Sequence, residues 1–351
     1  MTIKKPRHKA HPGFIIKNMK ALYSQRKNER VETRLQDIPM PELRNGEVKI
    51  KVDYSSLNFK DALGVTGVGS IFKKFPIVGG IDAAGEVVET RSPKFNVGDI
   101  VLITGCGLGE THDGGYAEFV IESDQNVVSC ATLTARQAMI FGTAGFTAEL
   151  ALARMLQNGQ KPDMGPILVT GASGGVGQFA VRAFVRAGFE VHALTGKFEM
   201  RERLMKLGVK KIVLPQEFLP DANVAPRALE SVQYGGAVDN LGGKTLAALI
   251  ARTQLWGSVA SIGLAEGPEL QTTAMPMILR GVSLLGISSN NCPYNLRLNL
   301  WQKIAGEVAN DEREMSALET FVAREIALDQ VVNVAKEMLS RQTHGRILVK
   351  I

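Results

Sequence analysis

The residues best suited to chemistry begin at Thr170. The run Thr170-Gly-Ala-Ser-Gly-Gly-Val-Gly177 joins four glycines to two hydroxyls and carries no charge, and Thr195-Gly196-Lys197 follows some twenty residues on. Placed between a strand and a helix, such a turn holds a pyrophosphate: Gly171 permits the bend, Gly174 and Gly175 let the backbone approach, and Gly177 lets helix and strand pack closely. The helix N-terminus adds N–H groups and a positive dipole end. A free ribose 2′-hydroxyl is usually held by a carboxylate about 20 residues beyond the glycines. Here that position offers a hydroxyl and an ammonium with Gly196 between them, which suits a 2′-phosphate. The expected ligand is NADPH, with Ser173, Gly174, Gly175, Val176, Thr195, Gly196 and Lys197 as contacts. The plain alternative is a glycine turn that binds no nucleotide.

The elements that must position these residues are legible around them. Residues 167–169 are a short apolar strand, 178–187 carry Phe179, Val181, Ala183, Phe184 and Ala187 on a helical pattern, and 191–194 form the next strand. Upstream, 19–23, the strictly alternating 47–54, 76–88, 97–103 and 114–120 read as short strands punctuated by glycine, a compact and partly closed β fold. From Thr134 the pattern turns helical over 135–141 and 147–156. After Lys197, strand and helix alternate through 284–288, which predicts a parallel sheet covered on both faces. Helical stretches at 296–308 and 329–340 and a strand at 345–350 have no room in that sheet and are expected to return to the first region. The fold class is therefore α/β: a doubly wound Rossmann sheet with a β-rich domain discontinuous in sequence.

A chain of 351 residues is long enough for two domains. Of its net charge of +6, five units come from Lys4, Lys5, Arg7, Lys9 and Lys17, so the body is nearly neutral and carries no electrostatic footprint for nucleic acid. Residues 1–18 are too polar for a secretory signal and read as a mobile basic extension. Cys106, Cys130 and Cys292 are isolated and odd in number, which favours free thiols and a cytoplasmic setting. No uninterrupted apolar run approaches the ~20 residues of a membrane span.

Thr170, Gly171, Gly175 and Gly177 also fit the short-chain dehydrogenase turn. That pattern sits at the start of a chain and requires a Tyr-x-x-x-Lys downstream, whereas Tyr234 and Tyr294 are followed four residues later by Val238 and Leu298. A β-rich region, a central nucleotide fold and a closing return instead resemble the medium-chain dehydrogenase/reductase superfamily over Met19 to Ile351. The matching motifs are Pro39-Met-Pro-x-x-x-x-Gly46-Glu47-Val48, Gly80-Ile-Asp82-x-x-Gly85, Gly98-Asp99-x-Val101, Gly114-Gly115-x-Ala-Glu-x-Val and Gly142-Thr-Ala-Gly-x-Thr-Ala. The resemblance implies a GroES-like catalytic domain over 19–142 and 292–351, a Rossmann domain over 143–291, and pairing into a homodimer through the cofactor-domain sheet edge. Zinc-dependent members place a Cys and a His-Glu pair where this chain has Asn58 and Ile81-Asp82, so no metal is expected.

Within the zinc-free members, Ser55 to Leu63, Gly142 to Ala148, Ile278 to Val282 with Arg297 and Trp301, and Gly345 to Lys350 resemble the acryloyl-CoA reductase group. The resemblance implies NADPH-dependent reduction of the conjugated double bond of acryloyl-CoA. Free quinones as substrate, or an NADPH-sensing protein without turnover, are the alternatives. Phe59 stands where the family has tyrosine and Ser288 where it has an acid. Asn58 and Asp61 are the expected active-site residues. Asn58 would donate to the thioester enolate oxygen or fix the nicotinamide amide. Asp61 would give a proton only if burial raised its pKa, and otherwise would cap a helix beginning near Ala62. Phe59, Thr147, Lys211, Leu264 and Arg346 are further expected cofactor contacts, with an ordinary solvated lysine as the alternative for Lys211. Arg297 is expected either to meet a CoA phosphate or to be a surface helix arginine.

Overall fold

The computed structural model describes residues 17–221, 224–311 and 316–351. The basic extension therefore lies outside the described residues except for Lys17 and Asn18. β1 (Asn18–Lys27) and β2 (Arg30–Pro39) pair antiparallel throughout, joined by Asn28 and Glu29, both at positive φ, as a two-residue hairpin matched to strand twist requires. β3 (Glu47–Leu57) shows the expected alternation, with Val48, Ile50 and Val52 buried, and ends in the fully buried Ser55, Ser56 and Leu57. That apolar-to-buried change delivers the chain into α1 (Phe59–Thr66).

The strand expected over 76–88 is two strands, β4 (Ile77–Val78) and β5 (Asp82–Thr90), parted by Gly79 and Gly80. β6 (Ile100–Thr104), β7 (Phe119–Ser123) and β8 (Val128–Ser129) complete this region. α2 (Ala135–Gln157) is broken at Gly142, where φ is 49° and ψ −154°. A Cβ there would stand 2.6 Å from Asp82 Oδ2 and 2.7 Å from Arg346 Nη2. Only glycine fits, and the break sets the amide of Thr143 at the start of a new helical segment.

The nucleotide-type unit follows: β9 (Ile167–Thr170), α3 (Gly175–Arg186), β10 (Val191–Leu194), α4 (Arg201–Lys206), β11 (Lys211–Val213), α5 (Pro215–Phe218), β12 (Gly236–Asp239), α6 (Gly243–Arg252), β13 (Ser258–Ser261), α7 (Met275–Arg280) and β14 (Ser283–Gly286). Its six strands are all parallel in the order β11-β10-β9-β12-β13-β14, a doubly wound Rossmann order. Gly177 packs α3 on β9 so closely that a Cβ would lie 2.3 Å from Gly171 O.

α8 (Tyr294–Ala309), β15 (Val322–Ala327), α9 (Val331–Leu339) and β16 (Arg346–Lys350) close the chain. β16 pairs antiparallel with β3 and parallel with β15, so the last strands rejoin the seven-stranded sheet β15-β16-β3-β5-β6-β8, in which β7 also pairs β3. The β-rich part is discontinuous in sequence, as expected. A stack of Phe141, Phe179 and Phe321, with ring centroids 4.8 and 4.4 Å apart, ties α2 and α3 to the segment before β15. This stack fixes the glycine turn against the returning strand.

Candidate active site

Asp82, the first residue of β5, has no exposed surface. Its carboxylate accepts from Asn58 Nδ2 at 2.8 Å, from Thr143 Oγ1 at 2.6 Å, from the Thr143 amide at 3.0 Å and from Ser56 Oγ. Arg346 Nη2 lies 3.9 Å away. Buried charge is tolerated only when paired and hydrogen-bonded, and here a cation and four donors converge on one carboxylate.

Arg346 opens β16 and is 2% exposed. Nε donates to Ile140 O at 2.8 Å, Nη2 to Met139 O at 3.2 Å and Nη1 to Asn58 Oδ1 at 3.0 Å. The carbonyls of Met139 and Ile140 are free to accept because the helix breaks at Gly142. Its guanidinium also flanks the glycine turn: a Cβ on Gly175 would be 3.4 Å from Nη1.

Asn58 joins these charges. Its carbonyl faces Arg346 and its NH2 faces Asp82, Ser56 Oγ at 3.2 Å and Asp61 Oδ2 at 3.2 Å. Donors on one side and acceptors on the other fix the amide's orientation. Asn58 has both ends of its amide engaged within this network. It precedes α1, where Asp61 accepts from the Asn58 backbone N–H at 2.9 Å and from Ile81 N at 2.9 Å. The helix starts at Phe59 rather than Ala62, so Asp61 does serve its N-terminus, from the third position.

Asp61 is 2% exposed. Burial, then the charge of Asp82, push its carboxyl up to about 7, against the pull of hydrogen bonds from Asn58 and Ile81. Tyr116, buried beside it and donating to Ser56 O at 3.1 Å, is held well above the usual phenol range.

The expected phosphate residues gather at the carboxyl ends of β9 and β10. Gly174 caps α3, and Gly175 and Val176 open it. Thr195 Oγ1 meets Ser173 Oγ at 3.2 Å and accepts from the Lys197 amide at 3.1 Å, with Gly196 in the turn between. Lys197 Nζ donates to Thr343 O, and burial lowers its pKa. Leu264 stands exposed after β13 with its Cα 3.4 Å from the Cβ position of Gly242. Phe59 is 40% exposed at the start of α1, and Thr147, buried on α2, donates to Thr143 O at 2.6 Å. Asn240 Oδ1, at the end of β12, is buried without a partner among the described residues.

Two expected residues are not part of this gathering. Lys211 is exposed on the edge strand β11, opposite His192. Arg297 is neither a surface residue nor available to a phosphate: it is 1% exposed, donates to Thr104 O, Thr104 Oγ1 at 2.9 Å and Ser289 O at 2.7 Å, and lies 5.0 Å from the Phe146 ring. Its five-donor fork ties the β6 end to the loop before α8.

Comparison with known proteins places this geometry. Residues 44–163 match the alcohol dehydrogenase GroES-like domain and residues 175–306 the zinc-binding dehydrogenase domain. The acrylyl-CoA reductase AcuI of Ruegeria pomeroyi is 38% identical over 323 residues, covering 92% of this chain and 95% of that protein. The chain belongs to the medium-chain dehydrogenase/reductase superfamily. YhfP of Bacillus subtilis, named as a quinone oxidoreductase, is 40% identical over 332 residues, with 94% and 98% covered. The yhdH oxidoreductase of Salmonella enterica, solved in complex with NADP, superposes with a TM-score of 0.88 at 38% identity, covering 95% of this chain and all of that one.

In this superfamily member the zinc-type donor set does not fit a metal. Asn58 and Ile81 supply no thiolate or imidazole, and the Arg346 guanidinium already faces Asn58 and Asp82. No group of three or more His, Cys, Asp or Glu among the described residues is arranged to hold a metal ion.

Proposed function

We propose that this chain reduces the conjugated C=C bond of acryloyl-CoA, or of a similar short enoyl-CoA, using NADPH and no zinc. The carrying observation is the buried network Asp61–Asn58–Asp82–Arg346 set directly against the first residue of α3. The acrylyl-CoA reductase name of AcuI and the NADP held by the Salmonella protein support the substrate and the cofactor. The orphaned Asn240 Oδ1 at the carboxyl end of the parallel sheet fits a ligand seated there.

NADPH, when bound, supplies hydride for the β-carbon of the enoyl thioester. The Gly174–Val176 amides would receive the pyrophosphate, with Ser173, Thr195 and Lys197 at the 2′-phosphate and Phe59, Thr147 and Leu264 along the remainder. Asn58 acts as a positioning residue that locks Arg346 and Asp82. Asp61, its carboxyl raised to about 7, is divided between acid and carboxylate near neutral pH and can take up or give a proton beside the site. The working division is 19–142 with 292–351 as catalytic domain and 143–291 as cofactor domain. A homodimer would form through β14, whose outer edge has no strand partner among the described residues and is flanked by exposed Met275, Ile278 and Leu279.

The deciding experiment follows NADPH oxidation at 340 nm with acryloyl-CoA and with 1,4-benzoquinone in parallel. Saturable turnover of acryloyl-CoA in preference to the quinone is expected. Preference for the quinone would transfer the assignment to the activity named for YhfP, and tight NADPH binding with neither turnover would leave a sensor.

A further inference from the structure

The segment between α9 and β16 crosses to the glycine turn. Gly345 N donates to Ser173 O at 3.0 Å, a backbone bridge joins Gly174 and Gly345, and Thr343 O accepts from Lys197 Nζ. His344 stands exposed between these two anchors. The charged groups facing it are Lys197 and Glu199 after β10, Arg203 on α4 and Arg324 on β15.

Arg324 is already engaged by Glu337 at 2.6 Å. Arg203 is not so matched. Its Nε donates to Gln178 Oε1 at 2.5 Å and its guanidinium lies 5.2 Å from the Phe321 ring, but Nη2 is buried with no hydrogen-bond partner among the described residues. A buried guanidinium nitrogen without an acceptor is uncommon and points to an anion that would supply one. Gln178 in turn donates to Ser173 O at 2.9 Å, which links Arg203 through one side chain to the residue whose hydroxyl meets Thr195.

We infer that His344 and Arg203 complete the 2′-phosphate site, and that His344 takes up a proton when the phosphate enters. The inference rests on the NADPH reading above. In the free protein, partial burial and then the charges of Lys197, Arg203 and Arg324 lower the imidazole pKa, with Glu199 opposing, which disfavours the imidazolium. A phosphate dianion offsets the cations around the ring and favours the imidazolium. The affinity for NADP+ therefore falls as pH rises through the pKa of His344 in the complex, while the affinity for NAD+ stays level. The phosphate's own second ionisation, near pH 6, acts with the opposite sign and is largely complete by pH 7.

The test is calorimetric titration of the full chain with NADP+ and NAD+ at pH 7.0 in two buffers of different ionisation enthalpy, and of Kd from pH 6.5 to 8.5, for wild type, His344→Gln and His344→Asn. Proton uptake on NADP+ binding, none on NAD+ binding, and loss of that uptake in both variants are expected. The variants should bind NADP+ about tenfold more weakly at pH 6.5, approach wild type at pH 8.5, and keep wild-type NAD+ affinity, which also reports that they are folded. Unchanged uptake in the variants with NADP+ still preferred over NAD+ would overturn the role of His344 and leave the cofactor reading standing. Equal affinity for the two dinucleotides in wild type would overturn both.

Discussion

Arg346 Nη1 donates to Asn58 Oδ1 across 3.0 Å, and through this bond the end of the β-rich sheet closes on the residue that leads into α1. Asn58 thereby bridges one cation and two buried carboxylates: it faces Arg346 with its oxygen and the acids with its nitrogen.

Asn58→Ala should leave Arg346 Nη1 without its acceptor and remove a donor from both Asp82 and Asp61. Leaving buried partners unsatisfied costs about 1–3 kcal/mol each. Turnover of acryloyl-CoA should fall more than about tenfold while NADPH affinity, set at the glycine turn, changes far less. Steady-state kinetics with parallel fluorescence titration of NADPH measures this split, and unchanged turnover would remove Asn58 from the working site.

The raised carboxyl of Asp61 makes stability depend on pH. Its folded pKa of about 7 lies above the ordinary 3.8, so the folded state binds the extra proton. Its contribution is full below pH 3.8 and is lost as pH rises through about 7, with a slope of about 1.4 kcal/mol per unit at most. Urea unfolding from pH 5 to 8.5 should show wild type losing stability with rising pH more steeply than Asp61→Asn. Parallel curves would place the proton elsewhere.

Lys197→Ala should weaken NADPH by about 1.5–3 kcal/mol, the scale of a hydrogen bond to a charged group, and leave NADH within about twofold. Binding titrations of both cofactors decide it, since equal losses would mean that Lys197 serves the loop through Thr343 O rather than the 2′-phosphate.

Arg297→Ala should act on folding alone. The guanidinium bonds Thr104, Ser289 and Asn290, and its removal orphans buried carbonyls, with an expected loss of about 2–4 kcal/mol in denaturant unfolding. The KM for acryloyl-CoA in the folded fraction should stay within about twofold. A large rise in KM without loss of stability would restore the phosphate-binding role.

The glycine turn was readable because its residue types constrain backbone directly, and the alternation of 47–54 showed which face of β3 is buried. Asp82 was not readable as a site residue. It is a lone acid in an apolar run, and its meaning comes from Thr143, Asn58 and Arg346, which only the fold brings to it. The segment 142–148 read as a link between two helices, whereas one residue, Gly142, makes the break and the helix resumes at once. Arg297 was misjudged for a related reason: on a helix an arginine looks solvated unless the loops that cap it with carbonyls are known to be near. Arg203 and His344 gave no signal, because nothing in their spacing joins α4 to the approach to β16.

Asn58 and Arg346 are separated by 288 positions, and Asp82 waits nearly as long for its cation. At about 5–20 residues per second, a ribosome needs on the order of 15–60 s to make that span. Throughout that interval the emerging β-rich region holds two acidic side chains whose burial is not yet matched by a guanidinium, and β3 lacks the neighbour β16. The first-made region therefore cannot reach its final arrangement ahead of the cofactor unit. The order of synthesis delays an assembled reducing centre until Arg346 and β16, beyond the whole cofactor unit, have emerged.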